Sequence, residues 1–220
     1  FYPASPNSSI PWGNWIPNAS YYPSYGHYLG WPAWLSGALW RWLDTRLWAQ
    51  PNLKIEKPRG LIIFSHGLGG LRTTYSAFCC EMASQGWLVA ALEHRDGSAS
   101  LTRLRNQQDL PYQRPPTNGG DDLAFRRRQL EQRVAEMEAA HALLTGTVNG
   151  EDICWIHHAG EPAPTNIERS EGPVVLAGHS FGAATAFAAA ASSRLPQIEC
   201  IIAMDPWMFP VPSQLQLPPT

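Results

Sequence analysis

The chain has 220 residues, is 44% hydrophobic and carries a formal net charge of −2. That is enough chain for one domain with a substantial core, and so near-neutral a balance leaves no electrostatic footprint for nucleic acid. Its four cysteines (Cys79, Cys80, Cys154 and Cys200) follow no metal-ligand spacing, and charges interrupt every apolar run well short of the ~20 residues a membrane span needs.

Residues 1–30 are rich in Pro, Ser, Asn and Tyr and read as irregular surface chain. Over 31–48, Trp31, Trp34, Leu35, Leu39, Trp42, Leu43 and Leu47 recur at helical spacing, with Arg41, Asp44 and Arg46 off that face. Seven of the ten tryptophans precede residue 50. Tryptophan suits a membrane–water interface, its ring apolar and its N–H wet, so an interfacial helix fits this stretch. A helix that packs its Trp and Leu onto the domain fits it too, and that is the expectation from the residues alone.

After the linker 51–59, the apolar run Leu61–Phe64 suits a buried parallel strand and ends in Ser65-His66-Gly67-Leu68-Gly69-Gly70. A helix is predicted over Thr73–Gln85, stopped by Gly86, and a strand over Leu88–Leu92 that ends at Glu93-His94-Arg95-Asp96. Residues 106–120 read as a polar loop. A helix over Asp121–Leu144 follows, in which Arg126-Arg127-Arg128, set among Asp121, Asp122, Glu131, Glu136 and Glu138, reads as a solvated face. A second loop, 157–172, leads to the strand Pro173–Ala177, an alanine-rich helix, and a last strand, Cys200–Met204. Strand and helix alternate, which calls for an α/β fold: a mostly parallel sheet with helices on both faces.

Gly178-His179-Ser180-Phe181-Gly182 joins the strand at 173–177 to the helix after it. Strand, sharp turn and helix are the context of a G-x-S-x-G nucleophile elbow, where small flanking residues leave the serine hydroxyl exposed above the sheet edge. The helix aims its positive end at the place where an oxyanion would form. A serine hydroxyl needs a base, and the base an acid to orient it. Asp205, at the end of the strand after the nucleophile, fits the acid. The N–H groups of Phe181 and of Leu68 in the glycine loop fit the oxyanion donors. No metal or cofactor is called for.

The base is the gap. In this fold the chain order is Ser, acid, His, yet all seven histidines (27, 66, 94, 141, 157, 158 and 179) precede or adjoin Ser180. His179 should point away from the serine, His66 and His94 read as structural hydrogen-bonders, His141 as a helix-surface residue, and His157 and His158 as loop residues. The order rule places the base beyond Thr220. The chain opens without methionine and stops after about four parallel strands. It reads as a single domain incomplete at both ends, with C-terminal strands missing.

Leu61–Ser100, the elbow Gly178–Thr185 and Ala203-Met204-Asp205-Pro206-Trp207-Met208-Phe209-Pro210 together resemble the platelet-activating-factor acetylhydrolases, group VII phospholipases A2 with an α/β-hydrolase fold. Trp15-Ile16-Pro17 extends the likeness to the N-terminus. The resemblance implies calcium-independent hydrolysis of the sn-2 acetyl or short oxidised acyl ester of phospholipids. It implies Ser180 as nucleophile, Asp205 as acid, and the N–H groups of Leu68 and Phe181 as oxyanion hole. Ala33–Leu39 is similar to the family helix that docks on lipid, so Trp34 and Leu35 become candidate anchors on a peripheral membrane or lipoprotein surface. The family's histidine has no counterpart here, Pro206 replaces a small residue, and Gly97 replaces a larger, charged one. Two other functions stay open: an esterase or lipase of different acyl preference, and a non-catalytic lipid binder. The apolar setting of Cys79 and Cys80 leans towards a cytoplasmic protein with peripheral membrane association, as does the likeness of Tyr75–Cys79 to the intracellular branch. The sequons at Asn7 and Asn18 would matter in a secreted one.

Overall fold

The computed structural model describes residues 1, 13–43, 57–104, 106, 108–116, 121–146, 169–192, 194–195 and 198–217. Four strands, β1 (Gly60–Ser65), β2 (Trp87–Ala91), β5 (Val174–His179) and β6 (Ile198–Met204), form one parallel sheet in the order β2-β1-β5-β6. β3 (Leu101–Arg103) and β4 (Asp109–Pro111) pair as a separate antiparallel hairpin. The helices are α1 (Ser24–Leu29), α2 (Ala33–Leu43), α3 (Ser76–Ser84), α4 (Asp122–Leu144) and α5 (Phe181–Ala191).

Alternation along each strand divides the core. Leu61 and Ile63 of β1 join Val174 and Leu176 of β5 in packing against Met137 and Leu144 of α4 and Ala186, Ala189 and Ala190 of α5. Ile62, Phe64, Val89, Val175 and Ala177 face the other way, onto Cys79 and Ala83 of α3. With both faces covered, β1 is buried at every position, as parallel strands are. From β1 the chain moves outward to β2 on one side, whereas β5 and β6 lie on the other. The crevice above the carboxyl ends of β1 and β5 is therefore a topological switch point, where ligands gather in open α/β sheets.

Several expectations shift. α3 begins at Ser76 rather than Thr73, because Arg72–Tyr75 is spent on turns, one closed by Ser76 N–H to the Thr73 carbonyl. β6 begins at Ile198, with a bulge that places Val174 opposite Ile198 and Val175 opposite Cys200. The stretch read as polar loop contributes β4, whose three residues pair with Leu101–Arg103; so short a strand carries no periodicity of its own. Arg126 is not on a solvated face. It is buried, donating to Gln129 Oε1 and the Tyr112 hydroxyl, with its guanidinium beside the Phe125 and Trp207 rings. His141 is buried as well. α4 starts where expected, with Asp121 Oδ1 accepting the Ala124 N–H.

The tryptophan helix departs furthest from the expectation of packing. Its apolar stripe faces outward: Trp34 is 75% and Trp42 81% exposed, and Trp31, Leu35 and Leu43 are exposed with them. Trp40, outside the predicted stripe, turns inward to pack with Trp15 and Tyr25, and Ser36 is buried with its hydroxyl on the Tyr22 carbonyl. Leu47, and the first sequon at Asn7, lie outside the described residues. Among the described residues no helix is long and apolar enough to cross a membrane.

Leu176, fully buried in β5 between α4 and α5, gives a direct check of this packing. Leu176→Ala should cost about 2–5 kcal/mol of stability, read as a lower denaturant midpoint with an unchanged slope.

Candidate active site

β5 ends, and α5 begins, at Ser180. Its backbone stands at φ 54° and ψ −117°. Among the described residues only one other non-glycine residue has positive φ: Asp205, at φ 43° after β6. Residues held in such regions store strain and cluster at functional sites. The two turns are stitched together. Ser180 N–H donates to the Met204 carbonyl at 2.9 Å, and the Ser180 carbonyl accepts Trp207 N–H at 3.0 Å, bracketing Asp205. Asp205 is exposed and Ser180 half-buried.

Two glycines make the elbow possible. A Cβ on Gly182 would sit 1.9 Å from the Ser65 carbonyl oxygen, and one on Gly178 would sit 2.3 Å from the Gly182 carbonyl carbon. β5, the first turn of α5 and the end of β1 thus meet backbone to backbone. The glycine loop after β1 completes the enclosure, since a Cβ on Gly67 would lie 3.3 Å from Ser180 Cβ. Gly69 N–H is taken by the Ser98 carbonyl and Gly70 N–H by that of Gly67. The N–H groups of Leu68 and Phe181 have no acceptor among the described residues. Two such donors beside a half-buried serine at a helix N-terminus are what stabilising a developing oxyanion requires.

The three histidines at the strand ends, His66, His94 and His179, are committed elsewhere. His66 Nε2 accepts the His94 N–H at 3.3 Å, so the proton is on Nδ1, which donates to the Gly67 carbonyl at 2.7 Å. His94 Nδ1 donates to Glu136 at 2.7 Å, leaving Nε2 to accept from the Ser65 hydroxyl, also at 2.7 Å. Ser65, His94 and Glu136 have the order of a serine–histidine–acid relay. Ser65 and His94 are wholly buried, however, so this one is structural. Burial, then the nearby Arg133 charge, holds both imidazoles far below their usual pKa, so the His94–Glu136 contact is a hydrogen bond from a neutral ring. His179 turns from the serine and places Nδ1 2.8 Å from the Tyr75 hydroxyl. His157 and His158 lie outside the described residues.

A family model described as platelet-activating factor acetylhydrolase, isoform II, matches residues 1–218. The chain belongs to this family. It is 34% identical over 212 residues to the platelet-activating factor acetylhydrolase of Bos taurus, with 90% of this chain and 47% of that protein covered. To the protein of the same name in Cavia porcellus it is 36% identical over 226 residues, covering 96% and 50%. The chain thus spans about half the length of the curated relatives it matches. Among solved structures, a ferulic acid esterase from Streptomyces cinnamoneus aligns with a TM-score of 0.56 over 86% of this chain and 45% of that one, at 18% identity. That likeness shows the fold, the α/β-hydrolase architecture.

In this acetylhydrolase-family chain Ser180, Asp205, Leu68 and Phe181 lie together at the carboxyl end of the sheet. Trp34 and Leu35 stand apart on α2. Sequence reading missed the buried role of Arg133, the inward turn of Arg126 and the Tyr75 contact with His179: an aromatic or arginine within a predicted helical segment gives no sign of which way it faces.

Two outcomes follow from these contacts. Gly182→Ala should destabilise the domain by about 3 kcal/mol or more, because the colliding atom is backbone; thermal melting reads it. His66 and His94 stay neutral in the fold, whereas the unfolded chain protonates them below their ordinary value of 6.5. Stability should therefore fall as pH drops from about 7 to about 5, by at most about 1.4 kcal/mol per pH unit for each ring. Denaturant midpoints across that range, with a flatter slope in His94→Gln, would register it.

Proposed function

We propose that the protein is a serine esterase that cleaves the sn-2 acetyl or short acyl ester of phospholipids such as platelet-activating factor. The observation that carries this reading is the strained Ser180, set at the α5 N-terminus beside two amides with no acceptor among the described residues. The names of the family's relatives, platelet-activating factor acetylhydrolases, supply the substrate class.

In this reading Ser180 Oγ attacks the ester carbonyl carbon and passes its proton to an imidazole. Leu68 and Phe181 N–H groups hold the resulting oxyanion, and the helix end adds its positive potential. The tetrahedral intermediate collapses by breaking the acyl carbon–oxygen bond; the proton goes to the departing lysophospholipid oxygen, and the acyl group stays on Ser180. Water then repeats the sequence and releases the short acid. Asp205 orients the imidazole and stabilises its cation. His66, His94 and His179 each hold another partner, and the chain order of this fold places the base after the acid, Asp205. The chemistry needs no metal ion.

The exposed stripe of Trp31, Trp34, Leu35, Trp42 and Leu43 supports a peripheral stance on a lipid surface, with Trp34 and Leu35 inserted. α2 follows α1, whose Tyr28 ring lies against Gly69 of the glycine loop. Docking would therefore hold the site close to its substrate.

The test is turnover of a phospholipid with a short sn-2 chain, in EDTA, by the natural full-length protein and by Ser180→Ala. Loss of at least about 10³-fold in Ser180→Ala is expected; equal turnover by both would end the reading. For docking, Trp34→Ala/Leu35→Ala should weaken binding to phosphatidylcholine vesicles about tenfold or more while leaving hydrolysis of a soluble short-chain ester intact. Unchanged vesicle binding would refute the lipid-facing role.

A further inference from the structure

Arg133 lies in the interior of α4, and its side chain is wholly buried. Few arginines are found there unless several contacts hold them. One nitrogen, Nη1, donates to the His66 carbonyl at 2.8 Å and reaches Ser65 Oγ at 3.4 Å. Nε donates to Asp96 Oδ2 at 2.9 Å and to Ser98 Oγ at 3.1 Å, and Nη2 also donates to Ser98 Oγ. The guanidinium carbon stands 4.3 Å from the centre of the Phe181 ring.

These contacts fall on both halves of the oxyanion hole. The His66 carbonyl opens the peptide that leads through Gly67 to the Leu68 amide. Ser98, gripped by the same guanidinium, offers its carbonyl to Gly69 N–H on the far side of Leu68. The Phe181 ring belongs to the residue whose N–H is the second donor. We propose that Arg133 is the positioning residue of the oxyanion hole, fixing the Leu68 amide through His66 and Ser98 and the Phe181 amide through its ring, so that the two donors keep one separation.

Arginine suits this task where lysine does not. Its planar fork donates in-plane to several acceptors while its face lies on an aromatic ring. Asp96 supplies the counter-charge; burial works against its ionisation, but Arg133 and the Ser98 hydrogen bonds win and keep its carboxyl below the usual range. A plain stabilising ion pair would need only Asp96. The bonds to the His66 carbonyl and the stacking on Phe181 add nothing to charge neutralisation, and both lead to the donors.

The test uses the natural full-length protein in three forms: Arg133→Lys, Arg133→Met, and the double variant Arg133→Met/Asp96→Asn. The last leaves no unpaired buried charge and so guards against simple unfolding. Amide hydrogen exchange needs no turnover. In the double variant, exchange should speed up by about tenfold or more over 66–70 and 180–183, with protection of β1, β5 and the rest of α4 unchanged. The kinetic arm rests on the esterase reading above. There kcat should fall on the order of 10²-fold with KM within about twofold of wild type, and Arg133→Lys should fall between. Faster exchange spread evenly over the domain, or a kcat loss no greater than the loss of folded protein, would overturn the assignment. Wild-type protein without Ser180-dependent turnover would instead defeat the esterase reading, and the exchange pattern alone would then decide the role of Arg133.

Discussion

The contact of bare backbone on bare backbone where β5 turns into α5 governs this molecule. With Gly182 pressed on the Ser65 carbonyl and Gly178 on the first turn of α5, the helix axis, the end of β1 and the end of β5 become one rigid joint. The unusual torsions of Ser180 follow from that joint rather than from any preference of serine. They persist because the surroundings over-determine them: the Ser180 N–H is taken by β6, and its carbonyl is shared by Ala183, Ala184 and Trp207. Strain at one residue is offset by hydrogen bonds drawn from three elements.

Behind the joint, the sheet end meets α4 through a polar layer instead of an apolar one. Arg133, Asp96, Ser98, His66, His94 and Ser65 are all buried, and each finds its partner inside the cluster or on Glu136. Such a layer is worth little as a source of net stability, since desolvation consumes most of what the pairing returns. What it gives is direction. Hydrophobic contacts tolerate sliding, whereas a guanidinium with several acceptors and a ring beneath it permits one arrangement. Low dielectric also keeps the two imidazoles neutral, so that each has one donor and one acceptor nitrogen, and the glycine loop is tied down without an added charge near the serine.

The N-terminal helices lie against the same loop. Tyr28 of α1 packs on Gly69 and meets Tyr112 edge to face, while Trp15, Tyr25 and Trp40 hold α2 against α1. That aromatic cluster satisfies the inner side of α2 and leaves its tryptophan-rich side uncovered. An apolar stripe on a helix ordinarily marks the buried side; here the buried side is the one with Ser36 and Trp40. The proposed lipid-facing surface and the proposed catalytic loop are therefore parts of one packed unit, joined through Tyr28.

Motif order and residue pattern alone determined the α/β class, the strand Leu61–Phe64, the long helix from Asp121, the elbow at Ser180 and the turn at Asp205, because each rests on local chemistry: β-branched runs, a capping aspartate, glycines on either side of a serine. The family likeness was legible for the same reason. Which face of a helix turns inward was not, because that depends on what the rest of the chain places opposite it. Arg126, Arg133 and His141 look like surface residues until the glycine loop, the Asp96–Ser98 turn and Tyr112 arrive to receive the first two, and Trp34 and Trp42 look like core until Trp40 takes the inner position. The short hairpin 101–111 was hidden likewise, since three residues have no period and pair only when the partner strand is already in place. Sequence decided where the turns and the reactive serine fall; only tertiary packing decided which polar groups would be buried together, because a buried charge is tolerable solely where distant segments bring its partners to it.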